Sequence, residues 1–87
     1  MAVVWIPSLL RDLTGGQATI EVFGSTVREI IEALDRAYPG AKVRLCDENG
    51  LRRSIAVAVG TQVARLGLSE PVPADGEVHF LPAISGG

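Results

Sequence analysis

One stretch of this chain reads as an amphipathic helix, and it constrains everything around it. Thr26-Val27-Arg28-Glu29 has the spacing of a capping box, in which the Thr hydroxyl meets the amide three residues on and the Glu carboxylate reaches back. Val27, Ile30, Ile31, Leu34 and Ala37 then recur at helical spacing and form one apolar stripe. Pro39-Gly40 ends the run, because proline disfavours helical angles at Tyr38 and glycine can turn left-handed. The spacing predicts a helix over about Val27 to Tyr38. A helix with one apolar stripe has to bury it, and what remains of the chain reads as strands.

Ala2 to Ile6 is an apolar run closed by Pro7, which lacks the N–H that further pairing needs. Ser8 to Gly16 makes a wide turn, with Gly15-Gly16 free to take positive φ, and Gln17 to Phe23 returns as an alternating strand. Ala41 to Cys46 carries no decisive pattern, and Asp47-Glu48-Asn49-Gly50 is a turn signal. Ser54 to Val59 alternates Ile55, Val57 and Val59 with small residues and reads as a third strand. A short edge strand is expected near Val63 to Leu66. Pro73-Ala74-Asp75-Gly76 then turns the chain into a final strand and apolar tail, Glu77 to Ile84. The order is ββαββ with a further short strand, an α+β layer pair over residues 1–82, followed by a flexible C-terminal tail, residues 83–87.

Length and charge narrow the function classes. A chain of 87 residues holds one core and hardly a second site-bearing domain. A net charge of −2 argues against a nucleic-acid binder, and the one dense basic pair, Arg52-Arg53, reads as a solvated turn. No apolar run is long enough to span a membrane, and MAVVWIP lacks the basic start and apolar length of a secretion signal, so a cytoplasmic protein without a membrane partner is expected. Cys46 is the only cysteine and His79 the only histidine, which leaves no disulfide and no metal cluster. Cys46 is read as a small buried hydrophobe in preference to a nucleophile served by His79. No bound cofactor is expected.

The end of the chain is Ser85-Gly86-Gly87. A carboxylate on two residues without side chains is a chemical handle that fits a narrow tunnel, since glycine leaves room around the main chain. The bland alternative is a frayed terminus, common in any domain.

Taken with Ile6-Pro7-Ser8-Leu9-Leu10-Arg11, Leu13-Thr14-Gly15-Gly16-Gln17 and Leu81-Pro82-Ala83-Ile84-Ser85-Gly86-Gly87, the chain resembles the ubiquitin-like sulfur carriers of the MoaD/ThiS family, and within it the CysO-type members. It departs from that subgroup at Gly60-Thr61-Gln62-Val63 and in a short Leu66–Glu70 loop. The resemblance implies a β-grasp fold, a mixed sheet of four to five strands packed on one main helix. It implies that an E1-like activating partner uses ATP to adenylate Gly87, that a sulfur donor displaces AMP, and that the resulting thiocarboxylate delivers sulfur. Ile84, Ser85, Gly86 and Gly87 are then the segment that threads into the partner's active site, and the carrier itself contributes no catalytic residue. The acceptor implied is a pyridoxal-phosphate-dependent cysteine synthase, with a JAMM-type metalloprotease releasing the product. The large subunit of molybdopterin synthase is the alternative acceptor.

If Ile6 and Phe80 face the helix, strand alternation sends Trp5, His79 and Leu81 to the other face of the sheet. Ala56 and Ala58 join them if Ile55, Val57 and Val59 point inward. An exposed Trp beside small residues suggests a partner-docking face, against the alternative that Trp5 caps a local core. Two other classes stay open: a covalent modifier joined through Gly87 to target lysines, with Lys42 as the one internal lysine, and a non-covalent binding module with an incidental tail.

Overall fold

The computed structural model describes residues 1–82. Its first strand, β1 (Ala2–Trp5), pairs antiparallel with β2 (Thr19–Val22). Between them Ser8–Leu10 forms a 3-10 turn, and Gly15 and Gly16 take φ of 67° and 88°, the left-handed geometry that side chains resist. Thr14, buried at the base of this loop, donates from its hydroxyl to the carbonyls of Arg11 and Gln17.

The main helix, α1 (Val27–Ala37), begins as expected, with the Glu29 amide donating to Thr26 Oγ1 at 3.2 Å. The Glu29 carboxylate reaches one residue further back than a capping box requires, accepting from the Ser25 amide at 2.8 Å and the Ser25 hydroxyl at 2.9 Å. Val27, Ile30, Ile31 and Leu34 are buried, whereas Ala37 is exposed and Ala33 packs on the core in its place. The connection from β2 passes so close to the helix at Gly24 that an added Cβ would stand 2.9 Å from Ile30 Cδ1.

The undecided segment folds as a second, short helix, α2 (Ala41–Leu45), followed by a small hairpin of β3 (Cys46–Asp47) and β4 (Gly50–Leu51). Asp35 on α1 supplies the start of α2, its Oδ1 accepting from the amides of Gly40 at 3.1 Å and Lys42 at 3.0 Å. The third long strand is β5 (Ile55–Val59). The edge strand β6 (Gln62–Val63) lies earlier than the expected Val63 to Leu66, because Gly60 takes φ 63° and turns the chain straight back on β5. Arg65 and Leu66 instead give their amides to Glu70 Oε1, closing a loop with no strand character. Residues 70–72 are then pinned to the start of α1 by Val27 N to Glu70 O and Val72 N to Ser25 O.

The last strand, β7 (Glu77–Pro82), enters the middle of the sheet, parallel to β1 and antiparallel to β5. The order across the five strands is β2-β1-β7-β5-β6, with α1 laid over one face. This mixed sheet on one main helix is the ubiquitin-like β-grasp arrangement. Its core is a single cluster in which Val4, Ile6, Val57, Val78 and Phe80 of the sheet meet Val27, Ile30, Ile31 and Leu34 of α1.

Candidate docking face and tail root

Strand alternation decides which side chains leave the helix side. Val4, Ile6, Val78 and Phe80 are buried, so Val3, Trp5, Glu77, His79 and Leu81 stand on the outer face of β1 and β7. The ladder register aligns Thr19, Trp5, His79, Ala58 and Val63 in one row across the sheet, and Ala56 opposite Leu81. The five residues expected on a docking face, Trp5, Ala56, Ala58, His79 and Leu81, are thus brought together. Trp5 is 43% and Leu81 41% exposed. Ala58 corrects the expectation in one respect: at 8% exposure it is a floor beneath its row, because its small side chain lies between His79 and Val63.

The row has internal order. Trp5 and His79 stack with ring centroids 5.4 Å apart and planes 11° from parallel. The indole N–H donates to Glu77 Oε1 at 2.9 Å, and His79 Nε2 lies 3.5 Å from the same oxygen. Parallel pairing of β1 and β7 is the cause, since it sets Trp5 directly opposite His79 and leaves Glu77 two residues earlier on the same face. Sequence reasoning missed Glu77, although the i, i+2 spacing to His79 was there to find it.

At the far end of β7, Pro82 pairs with Ile55. A cavity of about 170 Å³ opens there, with Pro7, Leu9, Ile55, Phe80, Leu81 and Pro82 in its lining. Leu9 belongs to the first loop, which Arg44 of α2 holds through Nη1 to Leu9 O at 2.9 Å and to Asp12 Oδ1 at 2.6 Å. The Arg44 hydrogen bond keeps the Asp12 carboxyl below its usual range. The expected threading residues Ile84, Ser85, Gly86 and Gly87 lie outside the described residues.

Cys46 and His79 are not brought together. The thiol joins the core on the helix side, where burial raises its pKa, and the imidazole stands on the outer face of the sheet. Among the described residues no helix is long and apolar enough to cross a membrane.

The model of the ThiS family matches residues 4–87. The chain belongs to the ThiS family. It is 34% identical to the sulfur carrier protein CysO of Mycobacterium tuberculosis (strain ATCC 25618 / H37Rv), over 97% of this chain and 96% of that protein. A chain in the crystal structure of the Amycolatopsis orientalis BexX/CysO complex superposes with a TM-score of 0.90 at 38% identity, covering 100% of both chains. The solution structure of small archaeal modifier protein 1 from Methanosarcina acetivorans gives a TM-score of 0.78 at 25% identity, over 99% of this chain and 95% of that one. The chain thus shares its fold with both solved structures.

Proposed function

We propose that this chain is a sulfur carrier for cysteine biosynthesis, with the Gly87 carboxylate as the site of attachment. The observation that carries this reading is the full-length likeness to a protein named as a sulfur carrier, in a family match that runs to the last glycine. An E1-like partner binds ATP and brings the Gly87 carboxylate to its α-phosphorus, so that pyrophosphate leaves and an acyl-adenylate forms. A sulfur donor then attacks the acyl carbon, and AMP leaves. A carboxylate resists nucleophiles until such a leaving group is attached, and the partner provides the positioning and charge binding that the step needs. With a pyridoxal-phosphate-dependent cysteine synthase the thiocarboxylate sulfur bonds to the amino-acid acceptor, which leaves the product joined to the Gly87 carbonyl, and a JAMM-type metalloprotease hydrolyses that bond to free it.

The carrier's contribution is a surface and a thread. Trp5, Ala56, His79 and Leu81, over the floor of Ala58, dock the partner, while Ile84 to Gly87 reach its active site. Intact-mass measurement on the protein from its native host tests the chemistry: one oxygen replaced by sulfur is expected. AMP formation undiminished by deletion of Gly87 refutes the reading. The likeness to small archaeal modifier protein 1 favours a second reading, a covalent modifier, which the same spectrum separates by the mass of an attached protein.

A further inference from the structure

We propose that the activating partner reads the outer sheet face through a basic residue set against Glu77 beside an apolar side chain set against Trp5, and that Glu77 fixes Trp5 for this contact. The inference rests on the carrier reading and adds the chemistry of the docking partner.

The charge on this face is one-sided. Its outward strand positions carry the carboxylates of Glu21 and Glu77, the His79 imidazole, and no lysine or arginine. Interfaces match such a patch with opposite charge, which steers encounter and fixes register. Glu77 is the carboxylate placed to do this, because its side chain is 54% exposed and only Oε1 is engaged by Trp5 and His79 among the described residues. Oε2 is left for a donor from outside.

The same carboxylate orders the apolar anchor. An exposed Trp free to rotate loses that freedom on binding, and the loss weakens the complex. Here the indole is held at its N–H by Glu77 and on one face by His79, so it meets the partner already oriented. Glu77 is therefore a positioning residue for Trp5 as well as a charge.

Two substitutions separate these roles. Glu77→Gln removes the charge and keeps an acceptor for the indole N–H, whereas Glu77→Ala removes both. Trp5 is the only tryptophan, so its fluorescence anisotropy in the free, full-length chain reports its mobility directly. The activating enzyme is taken from the source organism by its ATP–pyrophosphate exchange with this chain, and KM and kcat for the chain are measured at low and high salt. Expected for Glu77→Gln are unchanged anisotropy, a KM raised about three- to fivefold at low salt, unchanged kcat and a weaker salt dependence. Expected for Glu77→Ala are lower anisotropy and a KM raised about tenfold, again with kcat unchanged. A Glu77→Gln chain with wild-type KM at both salt concentrations overturns the basic contact, and a Glu77→Ala chain with wild-type anisotropy overturns the positioning role. Deletion of Gly87 is run alongside: exchange that persists without Gly87 sinks the carrier reading, while exchange that needs Gly87 but ignores Glu77 sinks only this proposal.

Discussion

Replacing Trp5 by alanine separates docking from folding, and the structure sets the size of each effect. A buried Trp removes about 150–250 Å² from water. Trp5 is 43% exposed, so a little over half of that is covered, roughly 110 Å². At about 25 cal/mol/Å² this amounts to roughly 3 kcal/mol as a ceiling. Residual burial in the denatured chain and the retained Cβ bring the expected loss of stability to about 1–2 kcal/mol. Binding should suffer more, because truncating an aromatic hot spot costs about 2 kcal/mol or more, a roughly thirtyfold rise in Kd. Leu34, 1% exposed against the sheet, provides the opposite case: Leu34→Ala should cost about 2–5 kcal/mol in stability and leave the affinity of the folded fraction unchanged. Urea melts followed by circular dichroism, since Trp5→Ala removes the only fluorescent indole, give the stabilities, and calorimetric titration against the activating enzyme gives Kd. With a urea slope of about 1 kcal/mol/M, the Trp5→Ala midpoint should fall by about 1–2 M. A fall of about 3 M or more with unchanged Kd would place Trp5 in the core and refute the docking face.

Cys46→Ser should leave thiocarboxylate formation on Gly87 intact while lowering stability by about 1–3 kcal/mol, since it puts a hydroxyl into the apolar core. The same burial, which raises the thiol pKa, predicts slow alkylation of the native chain at neutral pH and fast alkylation in urea, and rapid labelling of native protein would contradict it. Acid should loosen the first loop. Asp12 has a folded-state pKa below its unfolded value near 3.9, so its contribution is present above about pH 4 and is lost as pH falls through the lowered value. Urea midpoints measured between pH 5 and pH 2 should therefore drop further for wild type than for Asp12→Asn, and parallel curves would show that the Arg44 contact stabilises nothing.

What the sequence revealed and what it hid divide along one physical line. The helix, the β1–β2 hairpin, β5 and β7 were legible because each buries an apolar face long enough to impose its own period, as Ile30, Ile31 and Leu34 do on α1. Helix α2 was not. Its five residues are too few for a period, and it is held by contacts with other elements, Asp35 accepting amides at its start and Leu9 and Asp12 accepting from its Arg44. The 65–72 loop is ordered by a polar side chain of its own, Glu70 accepting amides that no strand pairs. Glu77 belongs to this hidden class as well. Alternation alone puts it outward, but only the parallel register of β1 and β7, which sets Glu77 opposite Val3 and His79 opposite Trp5, brings its carboxylate within reach of the indole, in a hydrogen bond between residues 72 positions apart. The candidate docking face was therefore readable as a list of outward positions, and the contacts within it were not. Polar side chains that reach across elements leave no periodic trace, and on this sheet one of them, Glu77, accepts the hydrogen bond of the Trp5 indole.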